Sequence, residues 1–221
     1  MPTIVNQTRV AGVFGTSQVY TMPAVSAGNS ILLSFQVVAS SLPLTLVRDN
    51  TGVDLTLDYS AATANGEQTR FYYRRPNVAG APTSITVTKT AATTTAVDIF
   101  EVNGIDNTSP LNVAITDASD VASTTTPSKA FTTTTANELV LSAWDNNNAG
   151  VTNTPQAGYT SSPDGATSSY IFMWFQADAG AAGAKTVGAT ISAARAYRMS
   201  VVTYKAATAS SITSAFTVTF Y

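Results

Sequence analysis

Along most of this chain, apolar and polar residues alternate in short runs broken by turn formers, the pattern of half-buried β-strands. Ile85, Val87 and Lys89 alternate with Thr86 and Thr88, and Leu139, Leu141 and Ala143 alternate with Val140, Ser142 and Trp144. Near the end, Ile212, Phe216, Val218 and Phe220 share one face, opposite Thr213, Thr217 and Thr219. Successive side chains of a strand point to opposite sides, so each run offers one face to a core. The pattern predicts strands near 30–39, 44–48, 53–59, 68–75, 84–90, 95–103, 111–117, 129–134, 138–145, 169–177, 185–192, 196–205 and 211–220.

The punctuation agrees. Asp49-Asn50-Thr51-Gly52, Asn65-Gly66 and Asn103-Gly104 are turn sequences, and Pro76, Pro82, Pro110, Pro127, Pro155 and Pro163 mark loops or edges. No segment has a helical period. The alanine-rich stretch 177–184, with Gly180 and Gly183, reads as a loop. Two threonine-rich pieces, 123–127 and 132–135, flank Ala130-Phe131 and read as one edge strand. Segment 145–168 reads as the longest loop, of the kind that binds something or packs on a neighbour. The expected fold is all-β: a two-sheet antiparallel β-sandwich, jelly-roll-like. It spans 1–221 as a single domain, with 1–23 and 206–221 left for assembly contacts.

Composition sharpens this. Only 11% of the 221 residues are charged, against about 25% in typical soluble domains. Small hydroxyl and amide residues take their place and suit sheet faces and turns. With 44% hydrophobic residues a core is assured, and the formal net charge of -2 contains no run of either sign. The one basic cluster, Arg70, Arg74 and Arg75 beside Phe71, Tyr72 and Tyr73, suits arginines paired with carboxylates better than a base-stacking surface. Nucleic acid is therefore not an expected partner. Without cysteine there is no disulfide framework and no thiolate metal site. The N-terminus lacks the basic and apolar regions of a signal peptide, so synthesis in the cytoplasm without export is expected. The apolar runs are too short for a helix to cross a bilayer, and membrane insertion is not expected.

Several phrases carry a likeness: Ala27-Gly28-Asn29-Ser30-Ile31-Leu32-Leu33, Ser84-Ile85-Thr86-Val87-Thr88, and Ile99-Phe100-Glu101-Val102-Asn103-Gly104-Ile105-Asp106 with Ser109-Pro110-Leu111. Thr134-Thr135-Ala136-Asn137-Glu138-Leu139-Val140-Leu141 and Ala157-Gly158-Tyr159-Thr160 continue it. Over about residues 24–205 the chain resembles a recurrent β-sandwich domain of bacterial surface proteins and bacteriophage structural proteins. These phrases are turns and strand starts, so the resemblance implies a fold and not a chemistry. Many such proteins carry a secretion signal and this chain does not, which favours the virion.

The missing chemistry is as informative. Histidine is absent, which removes histidine general bases and the serine and cysteine triads built on them. No phosphate-binding glycine loop is present; Gly12 and Gly15 are a lone pair. A glycosidase needs only two carboxylates, and Asp98 and Glu101 are the best-placed pair. Their odd spacing puts them on opposite strand faces, so one is expected to cap the Asn103-Gly104 turn and the other to face solvent. No cofactor is expected beyond calcium, for which Asp117 with Asp120, and Asp145 with Asn146, Asn147 and Asn148, are the oxygen-rich candidates; as plain turns they need no ion.

A candidate glycan site remains in Trp144, Asp145, Asn146, Tyr159 and Trp174. An exposed tryptophan beside polar groups could stack on a sugar ring, and a buried one would be core or a subunit interface. Phe172 and Trp174 share one face of their strand, with Ile171, Met173 and Phe175 on the other, so the strand is central or covered by another subunit. The leading expectation is a non-enzymatic bacteriophage virion structural protein (capsid decoration, fibre or tail-surface component). It would self-associate, contact other virion proteins and reach host-surface glycans. The alternatives are a carbohydrate-binding or adhesion module of a bacterial cell surface and, third, a glycan-active enzyme. The C-terminal strand, with no lysine or proline between Ser210 and Tyr221 to blunt its edge, argues for cover by a neighbour.

Overall fold

The computed structural model describes residues 1–37, 44–62, 69–117, 121–146, 151–162 and 171–208. Strands, all paired antiparallel, make up the regular structure, and no helix occurs among the described residues. In the first half, β1 (Thr3–Phe14), β8 (Thr93–Asn103), β3 (Ser30–Val37), β6 (Thr69–Arg75) and β5 (Thr56–Ala62) form a five-stranded sheet in that order. A three-stranded sheet of β2 (Ser17–Thr21), β7 (Ser84–Lys89) and β4 (Leu44–Asp49) faces it.

The second half repeats the plan. β17 (Arg195–Tyr204), β12 (Leu139–Asn146), β15 (Ile171–Gln176) and β14 (Thr160–Ser161) follow one another, and β9 (Leu111–Thr116) and β10 (Val121–Thr124) both line the outer side of β17. The small sheet is β11 (Ser128–Thr133), β16 (Gly183–Ile191) and β13 (Asn153–Pro155). Orders β8-β3-β6-β5 over β2-β7-β4 and β17-β12-β15-β14 over β11-β16-β13 are the same winding. The detail repeats too. Gly28 and Asn137 both adopt positive φ, 85° and 58°, just before β3 and β12. The next residue in each case accepts a backbone bond, Val78 N to Asn29 O and Ala179 N to Glu138 O. Glycine and asparagine are the residues that tolerate this left-handed geometry.

Three cores hold four layers together. Ile31, Leu33, Phe35, Ile85, Val87 and Val97 fill the first sandwich, and Val140, Trp144, Trp174, Val187, Met199 and Val201 the second. The third core joins the large sheets back to back through Leu32, Tyr72, Phe100, Leu139, Leu141, Met173, Val202 and Tyr204. At about 1.5–3 kcal/mol for each fully buried large apolar side chain, this middle layer contributes on the scale of a domain core. The two-sheet antiparallel sandwich is thus the unit of the fold, present twice.

The stack explains why β15 is apolar on both faces. In β15, Trp174 enters the second core while Met173 and Phe175 enter the middle one. Both faces are covered from within the chain, so this strand needs no subunit to bury it. Five strands lie where no strand was expected. β1 and β2 occupy the N-terminal segment; β1 pairs only with β8 and leaves Val5 and Val13 exposed, which blurs its alternation. β13 and β14 fall inside the expected 145–168 loop and are three and two residues long, too short to set a period. β10 supplies the fifth, so the threonine-rich stretch holds two strands where one was expected. The expected strand at 211–220 lies outside the described residues.

Candidate functional site

Sheet pairing brings a charged cluster to one end of the middle layer. Along β3 the residues facing the second sandwich run Leu32, Ser34, Gln36; along β12 they run Leu139, Leu141, Ala143, Asp145. Apolar contacts therefore give way to polar ones in one direction. There Arg70 of β6 pairs with Asp145 and donates to the Arg198 carbonyl at 3.0 Å, all three side chains buried. The Tyr72 hydroxyl bonds that of Ser200 at 2.6 Å. Arg9 of β1 holds Asp98 at 2.8 Å, Ser162 donates to the other oxygen of Asp98, and Gln7 donates to Ser162 at 2.6 Å. Burial pushes the Asp98 carboxyl above the usual range, against the pull of Arg9 and Ser162. A raised carboxylate suggests a general acid only where a substrate can reach it, and Asp98 has no exposed surface.

Glu101 plays a different part. Burial works to raise its pKa, but donors at Ser26 N (2.8 Å), Asn29 Nδ2 (2.7 Å) and Asn6 Nδ2 (2.5 Å) outweigh it and leave the carboxyl below its ordinary value. Neither carboxylate caps the Asn103-Gly104 turn or faces solvent as expected. A register shift in β1 between Ile4 and Asn6 brings Asn6 opposite Glu101, and both acids pin the N-terminal segment. The same holds across the molecule. Asp49 pairs with Arg75, Asp54 with Arg48, Asp58 with Arg74 and Asp117 with Lys129. Glu138 accepts from Asn112, Thr135 and Thr203, and Asp106 and Asp178 accept from turn backbone. Every carboxylate among the described residues is held by this chain. The three arginines of the basic cluster are each paired with one.

The expected glycan set is dispersed. Trp144 and Trp174 are fully buried and stack on each other, rings 5.8 Å apart and 24° from parallel, with Trp174 Nε1 donating to Asn153 Oδ1 at 2.9 Å. As core residues they offer no platform to a sugar. Asp145 is committed to Arg70, and Asn146 sits on β12 opposite Tyr197. Tyr159 lines a cavity. The calcium candidates divide likewise: Asp117 takes Lys129 and the Met199 amide, while Asp120, Asn147 and Asn148 lie outside the described residues. No metal-ligating cluster occurs among the described residues.

The cavity at Tyr159 is an open groove of about 630 Å³ at the margin of the second sandwich. Phe131, Gln156, Gln176 and Lys185 line it with Tyr159. Burial raises the Tyr159 hydroxyl to about 12, so it stays protonated and able to donate. Gln156, Gln176 and Lys185 were not singled out in the sequence. Lys185 carried the available signal: it occupies the core-facing register of Val187, Ala189 and Ile191 on β16, where a lysine is out of place.

Comparison of the chain with protein-family models, with curated proteins and with solved structures finds no match.

Proposed function

We propose that this chain is a non-enzymatic structural protein of a bacteriophage virion: a capsid decoration, fibre or tail-surface component. The observation that carries the reading is the use made of its charge. With no histidine or cysteine in the sequence, carboxylates are the natural acid–base groups, and each described one is consumed in fixing strands, turns or the joint between sandwiches. Catalytic groups need freedom to exchange protons with a substrate, and the pair best placed for catalysis, Asp98 and Glu101, is buried and held by several donors. Stacked sandwiches with neutral, hydroxyl-rich outer faces suit a durable exposed part, and the phrases quoted above from 27–33 to 157–160 resemble a domain that phage structural proteins share with bacterial surface proteins. Assembly is supported by the N-terminal strands β1 and β2, which border two sheets without lysine or proline and leave Val13 75%, Val19 53% and Val5 47% exposed.

Gold-conjugated antibody against the chain should label intact particles of the phage that encodes it, at a fixed number per particle. Label on the bacterial envelope, with bare particles, would replace this reading with the surface-adhesion one.

A further inference from the structure

The second sandwich is hollow where the first is filled, and the internal repeat allows a residue-by-residue comparison. On the small sheet of the first, Tyr20 stands opposite Ile85, both buried; the matching pair in the second is Phe131 opposite Lys185. On the large sheet, Ile31 stands opposite Arg75, which is tied to Asp49; the matching pair is Val140 opposite Gln176. A methyl-rich side chain and an ion pair thus close the first sandwich. A lysine and an amide replace them in the second, and among the described residues neither finds a side-chain partner. The groove opens between them.

We propose that this groove binds an acidic saccharide. Lys185 takes the anionic group, the amides of Gln156 and Gln176 take ring hydroxyls, and Tyr159 covers one face of the ring. The volume falls within the range of about 300–1,000 Å³ typical of small-ligand sites. A primary amide donates and accepts at once, which matches the hydroxyl pairs of a sugar, and Thr132 and Thr186 add hydroxyls at the rim. Among the described residues no carboxylate lines the groove, and Lys185 sets its sign. A half-buried ammonium without a counter-charge is unfavourable, and a carboxylate or sulfate on the ligand would relieve it. One cation is too few for a polyphosphate or a nucleic-acid backbone, each of which gathers several. The inference does not depend on the virion reading, because a bacterial surface protein could use the same groove.

The test is calorimetric titration of the full chain with oligosaccharides ending in sialic or glucuronic acid, beside neutral counterparts lacking the acidic sugar. The acidic ligands should bind, and the neutral ones should be weaker by about tenfold or more. Lys185→Ile, which copies the filled arrangement of the first sandwich, should abolish binding without lowering the melting temperature. Lys185→Gln should erase the preference for the acidic form, and Tyr159→Ala should weaken both ligand sets. Should Lys185→Ile fail to fold, Lys185→Gln decides alone: an unchanged preference overturns the proposal, and a lost one supports it. Absence of binding by the folded wild-type chain also overturns it, as does binding that survives Lys185→Ile.

Discussion

Asp145→Ala is expected to lower the stability of the chain by about 3–5 kcal/mol, the cost of removing one partner from a buried ion pair. Arg70 and Asp145 are both fully buried between the large sheets, one on β6 and the other on β12. Without the carboxylate, the Arg70 guanidinium keeps the Arg198 carbonyl but loses its counter-charge in a place water does not reach. For a chain of this size the loss corresponds to roughly 6–20 °C in melting temperature. Replacing both partners, Arg70→Met with Asp145→Leu, should recover much of it, since a buried pair is often no better than an apolar pair of similar volume. A single substitution that costs less than about 1 kcal/mol, as exposed pairs do, would mean that water enters this joint.

Trp144→Ala is expected to cost about 3–5 kcal/mol through the cavity it leaves. Trp144 lies against Trp174 in the second core, among fully buried neighbours on three strands that cannot collapse far. Chemical denaturation should show the midpoint falling at unchanged slope. The alternative role for this residue, a sugar platform, makes the opposite forecast. Removing an exposed ring would leave the midpoint where it was and affect ligand binding alone.

Those two residues show where sequence reasoning held and where it stopped. Alternation located β3, β6, β7, β8, β12, β15, β16 and β17 because each has at least one continuous apolar face, which a period of two makes visible. It also showed that Leu139 and Leu141 oppose Val140 and Trp144. What covers each face depends on the stacking of two sandwiches, a long-range fact no local pattern carries. Asp145 beside Trp144 therefore read as a polar group of a sugar site or a turn, although the same alternation sends its carboxylate into the middle layer toward Arg70. Asp98 and Glu101 were rightly assigned to opposite faces, but each takes a partner, Arg9 or Asn6, from β1, an edge strand the pattern missed. The repeat was not read from the sequence: β12 shares only short apolar phrases with β3, and the positions that matter, Ile85 against Lys185 and Arg75 against Gln176, have diverged. The groove arises from that divergence, so it becomes visible only after the two halves are superposed by register.

Buried ionisable groups join the two sandwiches into one body. Differential scanning calorimetry of the intact chain near neutral pH tests this most directly. With a shared middle core and the Arg70–Asp145 and Arg9–Asp98 pairs at its end, unfolding should be one transition, with calorimetric and van't Hoff enthalpies equal. Two separated transitions, each with about half the enthalpy, would show that the sandwiches melt independently and that the buried charges do not hold them together.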